Sequence, residues 1–218
     1  MLRRIGAVAA AVLATAAPAA SAHQGNPDYL TRITSVTPAT DGLTVEVLNR
    51  DDRLLLHNTS GRDVVVRGYD GEPYARVLAD GTVQVNADSP AYYLNDDRFG
   101  NAEPPAGADG KGAPRWEELS RTGRFEWHDH RMHWMSQEPP ERVRGVEERT
   151  KIFDWRIPLQ VGGSAGAVAG TLFWTPQAQG GPPTAAIALL VALVAVCCVV
   201  VAILRRRRSP AGAAQEAW

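Results

Sequence analysis

Short apolar runs separated by polar turns fill the middle of the chain. In residues 43–48, Leu43, Val45 and Val47 alternate with more polar positions, which is the two-residue period of a strand with one buried face. Comparable runs predict strands over residues 32–36, 43–48, 53–58, 63–67, 74–78, 82–85, 91–94, 152–161 and 168–174. Such strands, recurring about every ten residues with Gly, Asn, Asp or Pro between them, predict an all-β, antiparallel immunoglobulin-like sandwich.

Two regions interrupt this pattern. Residues 95–114 are rich in Gly and Pro, and residues 136–149 are charged and include Pro139 and Pro140, so both are predicted to be long loops. Residues 115–120 are expected to form one or two helical turns. Leu54, Leu55 and Leu56 are expected to form a buried run within their strand.

Both ends of the chain are predicted to lie outside the sandwich. Residues 1–22 have the features of a signal peptide: Arg3 and Arg4, then an apolar run, then the small residues Ala20, Ser21 and Ala22. Residues 185–204 are uninterruptedly apolar, and a helix of that length would span about 30 Å, enough to cross a bilayer core.

The charges next to this apolar segment predict its orientation. Arg205–Arg208 follow it directly, and basic residues stay on the cytoplasmic side. The expected organisation is therefore a signal peptide over residues 1–22, an extracytoplasmic domain over 23–175, a Gly/Pro stalk over 176–184, a span over 185–204 and a cytoplasmic tail over 205–218. The lipid bilayer is thus the first expected partner.

The charged residues and the cysteines limit which ligands and which cross-links are expected for the exported domain. The formal charge of the whole chain is −1, but residues 23–184 carry 17 basic and 23 acidic side chains. This surplus of acid argues against a nucleic-acid partner and is compatible with cations. The only cysteines, Cys197 and Cys198, lie in the predicted span, so the domain is expected to have no disulfide.

Residues 127–135, Trp-His-Asp-His-Arg-Met-His-Trp-Met, hold the candidate chemistry. Three of the five histidines and two of the three methionines of the chain fall here. An extended strand would place His128, His130 and Met132 on one side, whereas a helix would group His128 with Met132 and Met135. Both geometries bring nitrogen and sulfur donors together.

The donor types suggest a metal ion. Imidazole binds Cu, Zn and Ni, and thioether selects copper, so the mixed set predicts copper first. Zinc could use the three histidines with Asp129 or another acid. A purely structural role is the alternative, with the methionines and tryptophans as core and the histidines hydrogen-bonded to nearby acids. The predicted metal ligands are His128, His130, His133, Met132, Met135 and, as the residue that cleavage would leave at the N-terminus, His23.

Other polar residues are interpreted as structural. His57 is expected to be a core histidine, and the pairs Asp51–Asp52 and Asp96–Asp97 are expected to be solvated. The sequence contains no P-loop and no dinucleotide fingerprint, so an enzyme is not predicted.

The layout resembles that of small actinobacterial-type exported proteins with a signal peptide, an immunoglobulin-like domain and one C-terminal span. The histidine after Ala20-Ser21-Ala22, together with the His/Met cluster, is also similar to the periplasmic copper-resistance carriers, although Gln24 departs from their pattern. That resemblance implies a β-sandwich whose N-terminal His binds Cu(II). Two functional hypotheses follow: a tethered extracytoplasmic domain that binds copper or a related metal, or an envelope module that docks a membrane or secreted protein partner.

Overall fold

The computed structural model describes residues 26–176 and 184–208, which belong to two compact units on either side of residue 176. The predicted signal peptide, His23, residues 177–183 of the stalk and the tail after residue 208 lie outside the described residues.

Within residues 26–176, the structure contains ten strands and one short helix. The strands are β1 (Tyr29–Thr37), β2 (Leu43–Leu48), β3 (Arg53–Asn58), β4 (Val64–Arg67), β5 (Pro73–Val77), β6 (Val83–Asn86), β7 (Trp116–Ser120), β8 (Arg124–His128), β9 (Thr150–Val161) and β10 (Ser164–Trp174). The helix α1 spans Pro90–Leu94, and single 3-10 turns cover His130–Met132 and Glu141–Val143.

The strands form two antiparallel sheets. The larger has the order β1-β10-β9-β4-β5-β6-β7, and the smaller has the order β2-β3-β8. Leu54 and Leu56 of the smaller sheet belong to the same buried apolar cluster as Val64 and Ile157 of the larger one. The all-β sandwich predicted from the alternating pattern is therefore confirmed.

Local expectations were wrong at four places. Residues 91–94 lie in α1 rather than in a strand, because Pro90 fits the first turn of a helix, where its missing N–H costs no hydrogen bond. Residues 116–120 form β7 rather than helical turns, because they pair with β6. Leu55 is only partly buried, because it faces away from Leu54 and Leu56. Asp51 and Asp52 are buried rather than solvated.

The second unit contains the helix α2, which spans Thr184–Arg208. Its segment Ile187–Arg206 has a mean hydropathy of 3.4 and is long and apolar enough to cross a membrane. Its apolar side chains are exposed, as lipid-facing residues would be. The predicted apolar C-terminal helix is thus confirmed.

Candidate metal centre

The His/Met segment begins at the end of β8, an edge strand of the smaller sheet. In β8, Phe125 and Trp127 face the core, and His128 is the last strand residue, paired with Arg53 of β3. Asp129 is extended, the next three residues make a 3-10 turn, and His133 is extended again. Neither the continuous strand nor the continuous helix considered from the sequence is present.

The 3-10 turn is attached to the larger sheet. Trp155 of β9 donates its indole N–H to Thr31 Oγ1 over 2.9 Å, and Thr31 of β1 donates its hydroxyl to the Met132 carbonyl over 2.7 Å. The Met132 side chain is fully buried in the apolar cluster. These contacts fix the backbone between the histidines.

Asp129 and Arg131 stabilise the same turn from its other side. Asp129 is fully buried, and both of its oxygens accept hydrogen bonds from Arg131, at 2.8 Å from Nε and 2.7 Å from Nη2. Trp127 Nε1 also donates to Asp129, and Arg131 donates to the carbonyls of Arg67 and Gly68. Asp129 is therefore held by an arginine and an indole, which corrects the expectation that it could serve as a zinc ligand.

The turn brings three histidine side chains together. His128, His130 and His133 each offer a ring nitrogen, and these three atoms all lie within 4.8 Å of one another. The closest pair is His128 Nε2 and His133 Nε2, which are 2.7 Å apart. His128 and His133 are 5% and 1% exposed, whereas His130 is half-buried and stacks on Tyr69.

In each imidazole, one ring nitrogen lies within hydrogen-bonding distance of a backbone carbonyl oxygen. His128 Nδ1 lies 2.5 Å from Asp52 O, His130 Nε2 lies 2.7 Å from Asp97 O, and His133 Nδ1 lies 3.0 Å from Trp134 O. A carbonyl oxygen only accepts, so each of these nitrogens carries the proton and donates. In a neutral ring the remaining nitrogen then presents a lone pair, which for His128 and His133 is the Nε2 that faces the other ring.

Burial keeps the two inner rings neutral. It is the largest cause that lowers the pKa of His128 to about 4 and of His133 to about 2, with the nearby Arg98 charge acting in the same direction. At neutral pH two lone pairs therefore face each other across 2.7 Å with no proton between them. This contact is repulsive unless a cation lies beside it.

A transition-metal ion fits this donor set. Metal-bound histidines usually donate their second ring nitrogen to a carbonyl or carboxylate, which is the arrangement of all three rings here. With metal–nitrogen bonds of about 2.0–2.1 Å, a tetrahedral centre separates two ligand nitrogens by about 3.3–3.4 Å, so the His128–His133 pair, now at 2.7 Å, needs to open by about 0.6–0.7 Å.

A network of two buried aspartates and one arginine lies beside the Nδ1 atom of His128. Arg98 donates to Asp51 over 2.6 Å and to Asp52 over 3.3 Å, and Asp52 Oδ1 lies 3.6 Å from His128 Nδ1. Asp52 thus approaches the same ring nitrogen with its carbonyl and its carboxylate. These three residues were not predicted to lie near the site, because adjacent aspartates in a turn look solvated and Arg98 lies more than 40 positions from them in the sequence.

The remaining predicted ligands lie in different surroundings. Met132 is 0% exposed and belongs to the buried apolar cluster. Met135 is 38% exposed, and its methyl group lies beside Gly100, as does the His130 ring. His57 is half-buried on the outer face of β3, opposite the core face that carries Leu54 and Leu56, and not in the core as expected.

Searches against known proteins give no relatives for this arrangement: no family, no curated protein and no solved structure matches the chain.

Proposed function

We propose that the chain is a membrane-anchored protein whose β-sandwich, on the outer side of the membrane, binds a transition-metal ion through His128, His130 and His133. The apolar helix α2 supports the anchoring, and Arg205–Arg208 after it favour a cytoplasmic C-terminus. The convergence of one ring nitrogen from each of the three histidines, all within 4.8 Å of one another, is the observation that carries the metal proposal.

The ligand set favours ions that prefer imidazole, namely copper and zinc. We propose a binding role rather than catalysis, because His128 and His133 are almost fully buried and leave little room for a substrate beside an ion. A carrier, buffer or sensor of metal at the membrane surface would need only such a binding site. The acidic surplus of residues 23–184 would attract cations to the domain.

The proposal is tested by metal-induced stabilisation of the full chain in detergent micelles. Cys197 and Cys198 are replaced by Ala so that thiolates do not compete, and Zn(II) and Cu(II) are added separately. At about a thousand times the dissociation constant, a site that exists only in the folded state adds about 4 kcal/mol to the unfolding free energy.

Two matched variants locate the site. The variant His128→Ala/His130→Ala/His133→Ala should lose the stabilisation, and His57→Ala, which removes an imidazole from the outer face of β3, should keep it. Adding His23→Ala to each protein removes any site at the N-terminus. Equal, negligible shifts in the parent and the triple variant would reject the metal and leave the protein-docking module as the function.

A further inference from the structure

Gly100 lies beside the His130 ring of the histidine centre. His130 donates Nε2–H to Asp97 O, so Nδ1 is the nitrogen whose lone pair is free for a ligand. That Nδ1 lies 3.5 Å from the position that a Cβ on Gly100 would occupy. The Met135 methyl carbon lies 3.4 Å from the same position, so the free nitrogen of His130 and the thioether of Met135 border one small space.

The two methionines of this segment are therefore not equivalent. Met132 is 0% exposed and packs in the apolar cluster, whereas Met135 is 38% exposed. Met135 has three rotatable bonds and a sulfur one bond from the methyl group that faces Gly100, so a side-chain rotation moves the sulfur without disturbing the core. The sequence alone could not distinguish these two thioethers.

Gly100 keeps this space open. Its φ is +71°, a conformation that side chains other than hydrogen rarely adopt, and a Cβ would lie 3.2 Å from the Cε1 atom of His130. The loop that contains Gly100 is closed by Asp97, whose carboxylate accepts hydrogen bonds from the backbone of Phe99 and Asn101. The same residue that orients His130 thus also shapes the loop.

We propose that Met135 is the fourth ligand of the centre and makes it selective for Cu(I). This inference rests on the metal-binding function proposed above and adds the identity of the ion. Thioether sulfur is a soft donor that favours Cu(I), whereas zinc bound by three histidines readily takes water in its fourth position. Removing the thioether should therefore weaken Cu(I) binding and leave the binding of harder ions nearly unchanged.

The test compares three ions in one protein. The full chain with Cys197→Ala and Cys198→Ala, in detergent micelles, is titrated with Cu(I) under anaerobic reducing conditions against a chromogenic Cu(I) chelator, and with Cu(II) and Zn(II) against matched chelators. The variant Met135→Leu keeps the size and apolar character of the side chain. Met132→Leu is the control, because it removes the other thioether of the segment.

Met135→Leu should weaken Cu(I) binding by about tenfold or more and change Zn(II) binding by less than about threefold. Met132→Leu should change neither Cu(I) binding nor Zn(II) binding.

X-ray absorption of the parent protein loaded with Cu(I) should show one sulfur among the atoms bound to copper. This result does not depend on the folding of any variant. Absence of that sulfur, or equal Cu(I) affinity of parent and Met135→Leu, would overturn the assignment of Met135. If the parent protein binds none of the three ions, the histidine centre itself is rejected.

Discussion

Two buried polar clusters lie side by side at the end of the smaller sheet, and they differ in how their charges and lone pairs are matched. In the first cluster, the Asp129 carboxylate and the Arg131 guanidinium bind each other, and the surrounding donors and acceptors complete their hydrogen bonds. In the second, the facing nitrogens of His128 and His133 are both acceptors. The first cluster is complete as it stands, whereas we propose that a cation completes the second.

The contrast shows how a structural polar cluster can be distinguished from a binding site. Buried polar groups that serve the fold are satisfied by protein partners, because an unsatisfied one costs about 1–3 kcal/mol. In the histidine pair, one nitrogen of each ring donates to a carbonyl, and the other two nitrogens lie 2.7 Å from each other. We infer that the fold holds these rings in place for a ligand that it does not itself supply.

The largest expected effect comes from breaking the complete cluster. Arg131→Met leaves the Asp129 carboxylate buried without its cation, so the free energy of unfolding should fall by about 3–5 kcal/mol. Urea unfolding of the full chain in detergent micelles, followed by tryptophan fluorescence, measures this. The double variant Asp129→Asn/Arg131→Met should lose less, since no charge remains buried. A loss below about 1 kcal/mol for the single variant would contradict the role given to Arg131.

The histidine pair should make the metal-free protein sensitive to acid. In the unfolded chain these rings protonate near pH 6.5, whereas burial lowers the folded pKa of His128 to about 4 and of His133 to about 2. Between these values the unfolded state binds more protons, so stability is complete above pH 6.5 and falls as the pH decreases.

This loss should be about 1.4 kcal/mol per pH unit for each ring that stays neutral, or about 3 kcal/mol between pH 6.5 and 4 for one ring. Denaturant unfolding in the presence of a chelator at several pH values measures it. The variant His128→Leu/His133→Leu should show a smaller loss over the same interval. Identical pH profiles of the parent and this variant would show that the rings are not held neutral.

A side chain at Gly100 should disturb the open side of the centre. Gly100→Ala places a Cβ against His130 and Met135 in a left-handed backbone conformation, which should cost about 1–2 kcal/mol and weaken metal binding. Gly107→Ala is the matched control, because Gly107 also has a positive φ but faces open space. If both variants bind metal as the parent does, the space at Gly100 is not part of the site.

The smallest effect is expected when one histidine of the second cluster is replaced in the metal-free protein. His133→Leu removes one of the two facing lone pairs and leaves the Trp134 carbonyl without its donor, so the two changes oppose each other. The unfolding free energy in chelator should change by no more than about 1 kcal/mol. Urea unfolding in detergent micelles, measured as for Arg131→Met, allows the two losses of unfolding free energy to be compared. A loss as large as that of Arg131→Met would mean that the histidines stabilise the fold by themselves.

The sequence predicted the sandwich and the C-terminal helix, because strand alternation and a long apolar run are local patterns. It failed at α1 and β7, where a proline at a helix start and pairing with β6 decide the structure. The three histidines were identified by residue type, but their convergence depends on a 3-10 turn that neither a two-residue nor a 3.6-residue period describes. The carbonyls of Asp52 and Asp97 that orient the rings come from distant turns, so no spacing in the sequence indicates them.

The binding of one metal ion by His128, His130 and His133 can be observed by X-ray absorption of the Zn(II)-loaded full chain, because imidazole rings give a recognisable multiple-scattering pattern. We expect three imidazole nitrogens at about 2.0–2.1 Å from the zinc, and their loss in the triple histidine variant. A first shell with fewer than two imidazoles, or the same spectrum from the triple variant, would contradict it.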